Sequence, residues 1–253
     1  MKKEAKKSTK EAPLKLPTNL FLMVAWVFSS VIVGQVIVGY PMAWILGADK
    51  FQMPVWTAVY SALSYIVSLL FVVLVPIALF KRWHVTRKDL GLDQLPTWTD
   101  IGLAPVGFIA GTILAGVFTA IFSIFPWFDA GATQSLGFST YIGGFDRVIA
   151  FVTLVIVAPI AEEIIFRGWL YGLMRKETSS KMTNAWSMIL SSFIVSLIFG
   201  LVHFQWNVSV NVFALSLVLC ALREITGTIN AGILVHILKN GIAFWLLYVM
   251  GIH

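Results

Sequence analysis

The chain has 253 residues, 58% of them hydrophobic and only 12% charged, with a mean hydropathy of +0.87. A soluble protein carries about twice that charged fraction, and with no long polar region to form a soluble domain the composition predicts an all-α, polytopic transmembrane bundle. The net charge of +6 comes from Lys and Arg between the apolar runs, not from a basic face interleaved with aromatics, so it excludes nucleic acid as a partner and points to membrane topology and anionic lipid.

Residues 1–18, MKKEAKKSTKEAPLKLPT, are basic, polar and punctuated by proline, and are expected to be a disordered cytoplasmic tail. The apolar run from Asn19 to Leu46 is too long for a signal-peptide core and lacks a small-residue cleavage site, so it is expected to remain as the first span. A break near Gly39-Tyr40-Pro41 would split it and raise the count from seven spans to eight. The second run covers Val55 to Phe80. The stretch from Lys81 to Asp100 mixes basic residues with Trp83, Leu90, Leu92, Leu95 and Trp98, the pattern of a connector lying at the membrane interface. Ile101 to Phe125 is the third span, and its Gly107 and Gly111 stand in G-x-x-x-G spacing, expected to serve internal packing. The N-terminal spans and connector thus occupy 19–125, and a Gly-rich extracytoplasmic loop occupies 126–147.

A four-span core follows over 148–253. Its spans are placed at Val148 to Leu173, Ala185 to Phe204, Val208 to Leu222 and Ile229 to Met250, with a basic turn at Arg175 to Lys181. Cys220, the single cysteine, lies in an apolar run, which excludes disulfides and cysteine metal sites within one chain. Lys and Arg concentrate in alternate loops, so the positive-inside rule places the N-terminus in the cytoplasm and His253 outside.

The first of these four spans carries A-E-E-I-I-F-R-G, Ala161 to Gly168. Placing a carboxylate at membrane depth costs roughly 2.5–3.5 kcal/mol, so two in succession require a polar interior. Glu163 and Arg167 are four residues apart and share a helical face, whereas Glu162 points about 100° away and is not satisfied by that pair. Pro159 removes a backbone donor just upstream and is expected to leave a carbonyl free near the carboxylates. Phe199 and His203 stand four apart in the next span, and His236 and Asn240 four apart two spans later. His84 and His253, the remaining histidines, are expected at the surface. Buried pairing that fixes helix packing would account for Glu163 and Arg167; it does not account for Glu162.

E-E-x-x-x-R, F-x-x-x-H and H-x-x-x-N in this order resemble the signature of the CPBP family of intramembrane endopeptidases, which includes the CAAX prenyl endopeptidases and bacterial proteins of bacteriocin self-immunity and abortive infection. Glu162, Glu163, Arg167, Phe199, His203, His236 and Asn240 each fill a motif position, and the resemblance covers about residues 148–244, with D-L-G-L at Asp89 to Leu92 similar to the family's connector. The first three spans match in hydropathy alone. The resemblance implies a peptidase acting on a membrane peptide or lipid-modified protein within the bilayer, and the short connections and lack of an organelle-targeting signal lead us to expect it in a bacterial plasma membrane.

Peptide hydrolysis needs an activated water, oxyanion donors and a proton for the leaving amine. Glu162 is expected as general base, His203 as its partner on the water, His236 and Asn240 as oxyanion donors, and Glu163 with Arg167 as the pair that orients Glu162. Zinc held by Glu162, His203 and His236 is the competing account; the absence of H-E-x-x-H and the presence of Asn240, a poor zinc ligand, favour a mechanism with no cofactor. The alternatives to an enzyme are a non-catalytic immunity or sensor-partner protein and a proton-coupled transporter, the last opposed by the lack of an inverted repeat. One difficulty is visible from rise alone. Glu162 comes out roughly 15 Å above the cytoplasmic end of its span but His203 nearer 25 Å, so the fifth span is expected to tilt or to enter the membrane later than Ala185.

Overall fold

The computed structural model describes residues 18–80, 85–132 and 143–251. The N-terminal tail, Trp83, His84, His253 and residues 133–142 of the Gly-rich loop fall outside them. Among the described residues there is no strand. The helices are α1 (Thr18–Leu46), the single turn α2 (Ala48–Phe51), α3 (Pro54–Phe80), α4 (Trp98–Phe122), α5 (Gly144–Ser179), α6 (Asn184–Leu201), α7 (Trp206–Thr226) and α8 (Asn230–Met250). Among the described residues the seven helices other than α2 are long and apolar enough to cross a bilayer, so this is a multi-pass membrane protein.

α1 runs unbroken through Pro41, and the count is therefore seven rather than eight. A proline within a spanning helix is tolerated where its neighbours compensate. α1 lies against α3 where Gly34 admits the backbone of its partner: a Cβ there would fall 2.6 Å from the Ser64 carbonyl oxygen. Trp26 stacks on Phe71 across the same seam at 4.9 Å. α4 uses its glycines in the same way against α7 and α8. Side-chain methyls of Val235 and Leu222 occupy the space beside Gly107, and Leu215 that beside Gly111, so the G-x-x-x-G spacing serves internal packing. Thr97 and Asp100 close a capping box at the start of this helix, which places Asp100 inside α4 rather than in the connector.

α5 forms the axis of the molecule. Ile165, Phe166, Trp169, Leu170 and Tyr171 are all buried in one core with Val195 and Phe199 of α6 and Cys220 of α7. Apolar side chains on the outside, such as Phe21, Trp44 and Ile113, are 63–87% exposed and form the surface that lipid covers.

The connector departs from the expected interfacial strip. Leu95 and Trp98 are exposed as that reading requires, but Leu90 and Gly91 are buried inside the bundle end. Gly91 adopts φ 69°, its carbonyl accepts from the Ile229 N–H at 3.1 Å, and the Asp89 carbonyl accepts from Arg223 Nη2 at 3.1 Å. Gly168 and Gly172 of α5 leave the room, since a Cβ on either would lie 3.0 Å from the Leu90 carbonyl and 2.8 Å from that of Asp89.

Candidate functional site

Pro159 has no N–H to donate, and the backbone upstream, Val152–Val157, is a π-helical stretch, with a second one at Ile164–Tyr171. Such insertions gather at functional sites because they rotate the side chains that follow. The carbonyl left in need is that of Leu154, and Asn240 Nδ2 donates to it at 2.9 Å. Asn240 therefore ties α8 to α5 beside the carboxylates and keeps its second amide hydrogen.

Glu163 and Arg167 are fully buried. Arg167 Nη1 donates to Glu163 Oε1 at 2.9 Å, and the guanidinium lies over the Phe199 ring, 4.2 Å from its centre. The same Glu163 oxygen receives His236 Nδ1 at 3.0 Å. A carboxylate only accepts, so Nδ1 carries the proton and Nε2 is turned to the other side. There it faces Glu162 Oε2 at 3.6 Å. The second carboxylate oxygen of Glu163 meets no hydrogen-bond donor, and Gly232, one turn before His236, gives it space: a Cβ at 232 would stand 3.2 Å from Oε2.

Glu162 is 13% exposed, and Tyr65 of α3 donates to its Oε1 at 2.6 Å. His203 sits beyond the end of α6 in the turn Val202 to Gln205, where Phe204 has φ 53°. Its Nδ1 faces the Phe199 carbonyl at 2.8 Å. A carbonyl cannot donate, so this nitrogen does, and Nε2 keeps its lone pair. Glu162, His203, His236 and Asn240 line one cavity of about 180 Å³. A second cavity of about 210 Å³ lies on the α1/α3 side and shares Tyr65, Glu162, Phe199 and His203 with the first.

The expected depth gap closes without any special tilt. α5 does not stop at Leu173 but continues to Ser179, absorbing the basic turn, while α6 starts at Asn184. Counted from that lower turn, Glu162 is about 25 Å up one helix and His203 about 28 Å up the next. The error lay in ending a helix at its last apolar residue; Arg175 continues it because Glu224, Asn184 and Ser187 receive its guanidinium.

All the residues singled out in the sequence come together here, with Glu163 joining His236 as well as Arg167. Glu162, His203 and His236 do not form a set of three donors able to hold a metal ion as they stand. Tyr65, Gly232 and Lys239, which also lines the first cavity, were not anticipated. A signal existed for the first: Ser61, Ser64, Tyr65 and Ser68 form a polar stripe at helical spacing within an otherwise apolar run.

Fold and site together define a multi-pass helical membrane protein with a paired-glutamate, histidine and asparagine centre inside the bundle. Residues 144–242 match the family model described as type II CAAX prenyl endopeptidase Rce1-like, and the match supports a protease. The matched segment begins where α5 begins and contains every motif residue from Glu162 to Asn240; α1 to α4 lie outside it. No curated protein and no solved structure matches the chain.

Proposed function

We propose that the protein is an intramembrane peptidase that hydrolyses a peptide bond in a membrane-associated or lipid-modified substrate, with Glu162 as general base and no metal. The observation that carries this reading is Glu162 itself: a partly accessible carboxylate facing His236 across a cavity that His203 and Asn240 also line. Glu162 and His203 Nε2 hold the water between them. Its oxygen adds to the scissile carbonyl carbon as its proton passes to Glu162, and the oxyanion accepts from His236 Nε2–H and from the free amide hydrogen of Asn240. Glu163, receiving Nδ1, stabilises the imidazolium that this donation requires, and Arg167 balances Glu163. The proton on Glu162 then moves to the amide nitrogen, the C–N bond breaks to release an amine and a carboxylic acid, and the acid passes its proton to the amine, so that a carboxylate and an ammonium leave. Glu163 and Arg167 are in this scheme positioning residues, one step removed from the substrate.

The domain match supports the peptide substrate; the bacterial plasma membrane and a cytoplasmic N-terminus are part of the same proposal. The test compares membrane peptides from cells carrying the native protein and Glu162→Gln, with and without a chelator. Peptides that disappear only with native protein, chelator or not, support the reading. An unchanged peptide set with a folded variant points instead to a non-catalytic immunity or sensor role, and chelator-sensitive cleavage restores the zinc account.

A further inference from the structure

The slot that takes the connector opens into a pocket far from the glutamates. About 400 Å³ of space lies where the connector, α5 and α7 meet, lined by Lys88 and Asp89 of the first, Tyr171 and Arg175 of the second, and Arg223 and Glu224 of the third. Gly172 and Gly227 complete the wall, so part of it is bare backbone. Arg175 stands about 6 Å along the axis from the end of α5, and Arg223 about 4.5 Å from the end of α7. Asn184, which receives Arg175, is two residues from Trp186, a tryptophan 65% exposed on the outer face of α6. The pocket is therefore at the level of the headgroups, where exposed aromatic rings collect.

Its carboxylates are occupied, and two of its cations are not. Glu224 accepts from Arg175 Nε and from the Tyr171 hydroxyl, both at 2.8 Å, and from Arg175 Nη2 at 3.1 Å. Asp89 Oδ2 is turned to Thr86, accepting from its N–H and its hydroxyl. Arg223 is held by neutral groups instead: Nη1 donates to the Gly227 carbonyl, Nη2 donates to the Asp89 carbonyl, and Nε is buried without an acceptor. The carboxylates of Glu224, Asp93 and Asp89 act on Arg223 through space, none of them in contact with it. Among the described residues the Lys88 ammonium makes no hydrogen bond or ion pair. With Lys176 and Asp93 counted as near neighbours, four cations face three carboxylates, and the surplus charge lies on Arg223 and Lys88.

We propose that this pocket binds a phosphate group, that of an anionic lipid headgroup, with Arg223 and Lys88 as its ligands. A guanidinium anchored on carbonyls keeps its full charge and has N–H bonds to spare, and phosphate accepts several donors at once. A basic pocket between spans at headgroup depth is the usual form of a lipid-phosphate site. Ile225, next to Glu224 on α7, is 71% exposed and offers an apolar flank to an acyl chain, which a free phosphate lacks. The bound group would bridge the connector, α5 and α7, and so stabilise the slot those elements form. The site lies outside the glutamate centre and stands whether or not the chain is a peptidase.

The experiment uses the full chain in a phosphate-free, non-ionic detergent. It is titrated with dihexanoyl phosphatidylglycerol, dihexanoyl phosphatidylcholine or inorganic phosphate; retained lipid is read by native mass spectrometry and unfolding by tryptophan fluorescence. Phosphatidylglycerol is expected to bind about 10- to 30-fold tighter than phosphatidylcholine, the value of two cations at a membrane surface, and to raise the unfolding midpoint. Lys88→Gln is expected to weaken phosphatidylglycerol about fivefold and Arg223→Gln about tenfold. Lys181→Gln, at the same end but paired with Glu177 and outside the pocket, is expected to change nothing. Equal binding of the two lipids overturns the proposal, as does a preference that survives in both pocket variants or falls as far in Lys181→Gln. Inorganic phosphate that displaces the lipid at equal concentration overturns the lipid assignment and leaves a site for free phosphate; displacement only in large excess supports the lipid. Should Arg223→Gln not fold, Lys88→Gln against Lys181→Gln decides alone.

Discussion

Glu163 shows how a buried carboxylate is held by protein groups. It has a guanidinium and an imidazole on one oxygen and a glycine facing the other, so each neighbour is open to a separate test. Arg167→Leu leaves Glu163 charged and uncompensated, a loss expected at about 3–5 kcal/mol and read as reduced thermal stability in detergent. Gly232→Ala places a methyl 3.2 Å from Glu163 Oε2 on the helix that also carries His236. The carboxylate has nowhere to retreat, and peptidase activity is expected to fall about tenfold with little change in thermal stability, since misplacement by a fraction of an ångström is costly at a catalytic centre. Tyr65→Phe removes the 2.6 Å hydrogen bond to Glu162 and keeps the ring. The expected result is a fall in kcat of about 10- to 100-fold, the value of a hydrogen bond to a charged group, with KM unchanged; an unchanged kcat would show that Glu162 is positioned by His236 alone.

At the scale of elements, the connector is the part that sequence reasoning placed least well. Its alternating charges and aromatics have the composition of an interfacial strip, and periodicity cannot reveal that three glycines on two different elements make a slot for it. Gly91 needs its positive φ, and a Cβ there would also lie 2.7 Å from the Arg223 guanidinium carbon. Gly91→Ala is expected to cost about 1–3 kcal/mol of thermal stability through strain alone. Within the same turn the Thr86 backbone N–H donates to Asp89 Oδ2 at 2.8 Å, which holds the Asp89 carboxyl below its ordinary range. A lowered carboxylate pKa contributes stability above the unfolded value, near 3.9, that is lost as pH falls through the folded one. Amide hydrogen exchange in residues 85–92 is accordingly expected to accelerate once pH drops below about 4. The helices were legible by contrast, because each is an apolar run of span length; their ends were not, because charged residues continue α5 for six residues beyond Leu173 on side-chain pairs made with α6 and α7.

Over the whole molecule, seven spans and the polar residues that meet inside the bundle were readable because polar groups stand out against lipid-like sequence. The pairing of Glu163 with His236 was not, since helix spacing relates residues within one span and says nothing of which face meets another. The same contrast bears on orientation. Two ends of the bundle are fixed by contacts: Asp89, Arg175, Asn184, Arg223 and Glu224 meet at one, and Ala132 meets Asn207 at the other. Arg87, Lys88, Arg175, Lys176, Lys181 and Arg223 crowd the first end, whereas the second has Asp49, Lys50, Asp129, Asp146 and Arg147. By the positive-inside rule we propose that the first end is cytoplasmic, against the anionic leaflet. Cys220 is fully buried and alone, so Cys220→Ala supplies a background in which single cysteines can be read one at a time. With Lys181→Cys and Gly131→Cys, both at exposed positions, an impermeant maleimide is expected to label 131 on intact cells and 181 only once the membrane is opened. The reverse pattern would turn the molecule over in the bilayer.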